Sequence, residues 1–165
     1  MMDEDILADD FLALEAERRA LLHVDSPGRR PLSENYELVG LAGEAEFAAA
    51  YGLPLNLRRK PGGDGGVDFI IPLAFTVDVK CFRNPENLIQ EEGKVVADIY
   101  VLAEYSDDDR RAVLLGWEYG ANLARAPVRD FGRGILNHHI HRDKLRRMGE
   151  LGRRIMRFTA RETLT

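Results

Sequence analysis

The feature that most limits what this chain can fold into is a pair of strand-like runs held almost against each other. Val67-Asp68-Phe69-Ile70-Ile71 and Thr76-Val77-Asp78-Val79-Lys80-Cys81-Phe82 are rich in β-branched and aromatic residues, and only Pro72 to Phe75 joins them. A parallel pairing needs a crossover of about a dozen residues or more, so the two runs are expected to be antiparallel neighbours. The two-residue period of a strand then assigns faces. Asp78 and Lys80 share one face with Thr76 and Phe82, while Val77, Val79 and Cys81 point the other way. Just upstream, Pro61-Gly62-Gly63-Asp64-Gly65-Gly66 forces a turn. It lacks the Gly-Lys-Ser/Thr ending of a phosphate-binding loop and leads into a strand rather than a helix, so a nucleotide cradle is rejected here.

Other elements arrange themselves around this pair. Residues 5–22 place Ile6, Leu7, Phe11, Leu14, Leu21 and Leu22 among charges at helical spacing, which predicts an amphipathic helix. Residues 25–33 then read as a loop, so residues 1–32 form a helix and linker ahead of a domain spanning 33–165. A second helix is expected after Ser33 as N-cap, ending at Tyr51-Gly52-Leu53-Pro54. Its Leu38, Leu41, Ala42, Ala45, Ala48 and Ala49 make a small-residue face suited to close approach to a sheet. Glu44 borders that face, where a carboxylate is costly unless paired. Leu55 to Lys60 reads as a short strand. Two more strands are expected near Ala97–Tyr105 and Ala112–Glu118, separated by the polar turn Ser106 to Arg111. Residues 83–96 fit a loop or a short helix, and the chain loosens after Glu118 through Gly120, Pro127, Gly132 and Gly134. A closing helix around 142–158 turns Leu145, Met148, Leu151, Ile155 and Phe158 inward. The fold class is α/β, a mixed central sheet flanked by helices.

Several classes are excluded by composition. The 165 residues suit one domain, and no apolar run approaches the roughly 18 residues of a membrane-spanning helix. The acidic start Met1-Met2-Asp3-Glu4-Asp5 is unlike a secretory signal. One cysteine, Cys81, makes no internal disulfide, and no Cys/His cluster has zinc spacing, which suits a cytoplasmic protein. The net charge of −5 conceals polarity: residues 1–50 carry −8, residues 51–124 carry −4, and residues 125–165 carry +7.

The chemistry sits on the strand pair. Asp68 and Asp78 can meet across the hairpin, and two crowded carboxylates need a cation, either a metal or the Lys80 ammonium. Mg²⁺ takes oxygen ligands and keeps waters, and the Val79 carbonyl would add a further oxygen. Mn²⁺ serves as a substitute. An ion there can polarise a phosphoryl oxygen and lower the pKa of a bound water. Lys80 can position or deprotonate that water or stabilise developing negative charge, and Glu44 can arrive from the helix as a further ligand. Each residue also has a plainer role: Asp68 as a cap of the glycine turn, Asp78–Lys80 as an exposed ion pair, Glu44 as an acid at the edge of a packed stripe.

Gly43-Glu44-Ala45-Glu46-Phe47-Ala48 on the helix, Gly66-Val67-Asp68-Phe69 on one strand and Val77-Asp78-Val79-Lys80 on the next together resemble the PD-(D/E)xK, or restriction-endonuclease-like, nuclease superfamily. The resemblance covers roughly residues 33–120. It implies metal ligation by Asp68 and Asp78, a catalytic Lys80, Glu44 as the helix-borne acid, and hydrolysis of phosphodiester bonds, with DNA the expected substrate and RNA the alternative. Gly66-Val67 stands where the superfamily's name has proline before the first aspartate, a position the superfamily varies.

The basic residues Arg142, Lys144, Arg146, Arg147, Arg153, Arg154 and Arg157 can track a phosphate backbone, with Arg125, Arg129 and Arg133 adding to the same half. The plain alternative is the solvated face of an amphipathic helix. Trp117 and Tyr119 can stack on bases or fill the core. His138, His139 and His141 read as surface or phosphate-facing residues, with a nickel or zinc site as the alternative. Asp98 is a strand-end cap or a supporting acid. A non-catalytic nucleic-acid-binding module, or a protein-assembly module using the first helix for a homodimer or another partner, remains the alternative to a nuclease. The nuclease reading predicts that Asp78→Ala abolishes cleavage and spares folding.

Overall fold

The computed structural model describes residues 36–55, 66–71 and 74–162, without the side chains of 158–162. The helix expected over residues 5–22, the Ser33 cap, the glycines at 62–65, nearly all of the strand expected at 55–60 and the Phe158 side chain lie outside the described residues. In chain order the elements are α1 (Tyr36–Tyr51), β1 (Phe69–Ile71), β2 (Phe75–Phe82), β3 (Asn87–Glu91), β4 (Ile99–Ser106) and β5 (Arg111–Tyr119). They continue as a one-turn α2 (Gly120–Leu123), β6 (Val128–Asp130), β7 (Leu136–His141), a 3₁₀ turn (Arg142–Lys144) and α3 (Met148–Glu162).

The strands form a mixed four-stranded sheet, ordered β1-β2-β4-β5, and an antiparallel three-stranded sheet, ordered β3-β7-β6. β1 and β2 pair antiparallel with Phe69 opposite Val77, as their short connection requires. β4 lies parallel to β2, Val77 opposite Ile99 and Phe82 opposite Glu104, and β3 is carried in the crossover between them. β5 returns antiparallel through the acidic turn after Ser106.

Two apolar clusters hold these layers. On one face Val77, Val79 and Cys81 of β2 meet Val101 of β4, Trp117 of β5, Phe47 of α1, and Leu151 and Ile155 of α3. Of the residues expected on the packed face of α1, Leu41, Ala42 and Ala48 are buried, Leu38 and Ala45 are half-buried and Ala49 is exposed, while Val39, Gly43 and Phe47 complete the buried face. A Cβ built on Gly43 would lie 2.6 Å from Cys81 Cβ, so only glycine lets the helix backbone come this close to β2. On the other face Tyr100 and Leu102 pack with Leu88, Leu123 and Ile140, so the second sheet covers the side of the first that α1 does not. The face alternation of β2 thus sends Asp78 and Lys80 away from the helix-covered cluster.

Three expectations are corrected. Residues 83–96 contain strand β3, not a helix, because Leu88 is needed in the second cluster. The stretch after Glu118 contains β6 and β7. Its polar Asn137-His138-His139 run carries little apolar signal, since β7 is nowhere fully buried. The last helix starts at Met148 rather than at residue 142. Arg146 is held extended beside β5 by reciprocal hydrogen bonds with Trp117: Trp117 N–H donates to Arg146 O (3.0 Å) and Arg146 N–H to Trp117 O (2.9 Å). Among the described residues no helix is long and apolar enough to cross a membrane.

Candidate functional site

β1 is only three residues long, so it covers only the first part of β2's outer edge. Asp68, just ahead of β1, continues the pairing in another way. Its N–H donates to Val77 O (2.9 Å), and its Oδ2 accepts the N–H of Val79 (2.7 Å). A carboxylate thereby takes the place of a strand partner. The carbonyl and N–H of one strand residue point to the same side, so the Val79 carbonyl faces this edge too.

Across the hairpin Asp78 is 3% exposed, and its Oδ2 lies 2.9 Å from Lys80 Nζ. This ion pair is not the solvent-exposed one that a plain alternating strand would carry. Lys80 Nζ also lies 5.9 Å from the centre of the Tyr100 ring. Burial works to lower the Lys80 pKa, but the charge and hydrogen bond of Asp78, together with the charge of Asp68, outweigh it. The group is held above the ordinary lysine value, so at neutral pH it is an ammonium donor rather than a base.

Above this edge α1 contributes a row of residues at four-residue spacing, Tyr36, Gly40 and Glu44, with Glu37 beside it. With Gly66, Asp68 and the stretch from Asp78 to Phe82 they line a cavity of about 180 Å³. Glu44, Asp68, Asp78, Val79 and Lys80, drawn from three separate stretches of sequence, therefore line one cavity. Tyr36, Glu37 and Gly40 were not singled out from sequence, although the i, i+4, i+8 row ending at Glu44 was a readable signal. Burial raises the Tyr36 phenol above its ordinary value, and Glu37 and Asp78 add to that against the opposing charges of Lys80 and Arg133.

Among the described residues that line this cavity are four carboxylates, Glu37, Glu44, Asp68 and Asp78, and the Lys80 ammonium. These carboxylates and the Val79 carbonyl form an all-oxygen donor set, which suits a hard cation. Among the described residues no three carboxyl, imidazole or thiol groups form a ready-made metal-binding cluster. Mg²⁺ does not require one, since it commonly binds through one or two carboxylates and retains waters.

The basic C-terminal residues are placed elsewhere. Met148 and Gly152 of α3 meet Tyr51 at one end of α1, whereas Tyr36 at its other end lines the cavity. At 1.5 Å rise per residue those ends are about 22 Å apart. Arg146 Nε donates to Glu118 Oε1 (3.0 Å) and its guanidinium covers Trp117 and Tyr119. Arg142 pairs with Glu104 (3.4 Å) and donates to Pro85 O (3.1 Å). Arg154 lies over Tyr119, while Lys144, Arg147 and Arg153 are exposed. Trp117 is 1% exposed and belongs to the core, which removes it as a base-stacking platform.

The remaining candidates resolve into structural roles. Asp98 Oδ2 accepts from both Thr76 N–H (2.8 Å) and Thr76 Oγ1 (3.0 Å), tying the starts of β2 and β4 together. His138 Nδ1 lies 2.8 Å from Ala126 O, His141 Nδ1 accepts from Asp143 N–H (3.3 Å), and His139 meets Phe131 edge-on. The Cys81 thiol, buried against Gly43, has its pKa pushed up to about 12 by that burial. It is a packing group.

Compared with protein-family models, curated proteins and solved structures, the chain matches none.

Proposed function

We propose that this protein is a metal-dependent nuclease with a restriction-endonuclease-like core, hydrolysing phosphodiester bonds of DNA. The observation that carries the reading is the cavity in which Glu44, Asp68, Asp78 and Lys80 come together beside the stretch of β2 beyond its pairing with β1. Asp68, Asp78 and the Val79 carbonyl would hold Mg²⁺, with Glu44 adding an oxygen from the helix side. When bound, the ion supplies Lewis-acid polarisation of a phosphoryl oxygen and acidifies a coordinated water.

The chain's own groups do the rest. The Val79 N–H fixes one oxygen of Asp68, which limits that carboxylate to a single orientation. Asp78 holds Lys80 as an ammonium, and that ammonium stabilises negative charge gathering on the phosphate during attack. Tyr36 and Gly40 form the helix-side wall, and among the described residues a Cβ at Gly40 would meet nothing within 4 Å.

Calorimetric titration of Mg²⁺ and Mn²⁺ into the wild type and into Asp68→Asn/Asp78→Asn tests the site, followed by cleavage of labelled DNA with and without EDTA. Saturable binding lost in the variant, and EDTA-sensitive cleavage, are expected. Absence of metal binding at millimolar concentration with DNA present would refute the nuclease reading and leave a non-catalytic module.

A further inference from the structure

The second sheet ends in a hairpin that takes no part in the site described above. Its tip is tightly built. Asp130 Oδ1 accepts from the N–H groups of Gly132 (2.8 Å), Arg133 (2.9 Å) and Gly134 (3.1 Å), and both glycines have positive φ. The tip presents an exposed aromatic, Phe131, between two exposed arginines, and the Arg129 guanidinium lies 5.2 Å from the Phe131 ring centre. Among the described residues no carboxylate forms an ion pair with Arg125, Arg129 or Arg133. Arg142 and Arg146, by contrast, are held by Glu104 and Glu118. The hairpin therefore offers cations that the fold itself does not consume.

Its location ties it to the cavity. Glu92 N–H donates to Leu136 O (3.0 Å), joining the base of the tip to the turn after β3. Val96, beyond that turn, reaches Gly66, where an added Cβ would lie 2.9 Å from Val96 Cγ2, and Gly66 lines the cavity. The charge of Arg133 is felt at Tyr36, on the opposite wall. The tip is thus linked to the cavity's rim through the β3 turn and Gly66, whereas α3 meets the far end of α1.

We propose that the β6–β7 hairpin is a DNA-binding arm: Arg129 and Arg133 hold backbone phosphates next to the scissile one, and Phe131 packs against a base or sugar. This rests on the nuclease reading for what the arm delivers DNA to. The occupant is chosen by charge, since guanidinium groups without a carboxylate partner among the described residues, beside an exposed aromatic, match a phosphate backbone and its bases. Strand addition by a second copy is disfavoured, because β6 is a three-residue edge carrying Arg129 and Asp130, and short charged edges resist pairing.

The test compares wild type, Arg129→Ala/Arg133→Ala and Phe131→Ala by fluorescence anisotropy on a labelled DNA duplex and a single strand. Ca²⁺ replaces Mg²⁺, and several salt concentrations are used. Asp130 is left intact to keep the turn, and thermal melts with Mg²⁺ titration verify that the variants are folded with the cavity unchanged. Each phosphate contact contributes about 0.9 to the salt slope on duplex DNA, so the double variant is expected to lose roughly 1.8 of it, with at least a ten-fold weaker Kd. Phe131→Ala is expected to weaken binding about five-fold or more. Unchanged Kd and slope in the double variant would overturn the arm, as would a wild type that binds neither DNA form. So would a sedimentation shift from dimer to monomer with DNA affinity intact. The two readings separate cleanly: variant-sensitive binding without wild-type cleavage keeps the arm and removes the nuclease, and cleavage with variant-insensitive binding does the reverse.

Discussion

Asp78→Ala, the obvious test of catalysis, is expected to destabilise the protein as well. Asp78 is 3% exposed and sits 2.9 Å from an ammonium whose side chain is 26% exposed. Removing one partner of a buried pair costs about 3–5 kcal/mol, because the other charge stays behind without compensation. Lys80 retains some solvent and the neighbouring charge of Asp68, which brings the expected cost to about 2–3 kcal/mol. At about 2–4 °C per kcal/mol for a chain of this size, Tm should fall by roughly 4–12 °C. Calorimetric melts in EDTA at neutral pH measure this without any contribution from metal. The double variant Asp78→Ala/Lys80→Met should melt above Asp78→Ala alone, since it removes the stranded ammonium. A wild-type Tm for Asp78→Ala, or strictly additive losses in the double variant, would refute the buried-pair argument. The expectation that alanine spares the fold therefore gives way to Asp78→Asn, which keeps the shape and an acceptor for Lys80 while removing the charge needed by a cation.

Further outcomes follow from the packing. Gly43→Ala forces a Cβ to within 2.6 Å of Cys81 Cβ. It should cost about 1–3 kcal/mol in a denaturant titration and displace Glu44 from the cavity, lowering the proposed cleavage along with stability. In Glu118, burial acts to raise the carboxyl pKa, but hydrogen bonds from Tyr119, Asn122 and Arg146 outweigh it and hold the group below its ordinary value. Its stabilisation is therefore present above about pH 4.5 and lost as pH falls through the lower folded value. Glu118→Gln should lower Tm at neutral pH, and the difference from wild type should shrink in melts run at progressively lower pH. The buried Cys81 thiol should resist aromatic disulfide reagents at pH 8 in the native protein and react at once when the chain is unfolded, and rapid native labelling would contradict its packing against α1.

Where local pattern and tertiary need agreed, the fold was legible. The short link between β1 and β2 dictated their antiparallel pairing, and period two put Asp78 and Lys80 on the same face. The alanine-rich stripe of α1 announced close approach to a sheet, which Gly43 completes. The second sheet was hidden because β7 is partly exposed throughout, so its Asn137-His138-His139 run has no core periodicity to read. The basic stretch after His141 looked like one helical face, yet Arg142 and Arg146 are used inside the fold. Their partners, Glu104 and Glu118, are distant in sequence, and no local spacing reveals such pairs. Of the cavity, Glu44, Asp68, Asp78 and Lys80 could be named from sequence. Tyr36 and Glu37 required knowing which turn of α1 overhangs β2.

The bond from Val79 N–H to Asp68 Oδ2 gives one side chain two jobs that evolution cannot easily separate. Beyond β1, that carboxylate is what occupies the Val79 N–H on the outer edge of β2, and an unoccupied strand edge invites pairing with other chains. A relative that lacked the proposed chemistry would not be released from Asp68. Exchanging it for alanine would leave the Val79 N–H of β2 without this acceptor, and self-association is the expected consequence. A residue that the proposed chemistry alone would make dispensable in such a relative is therefore one whose removal puts solubility at risk.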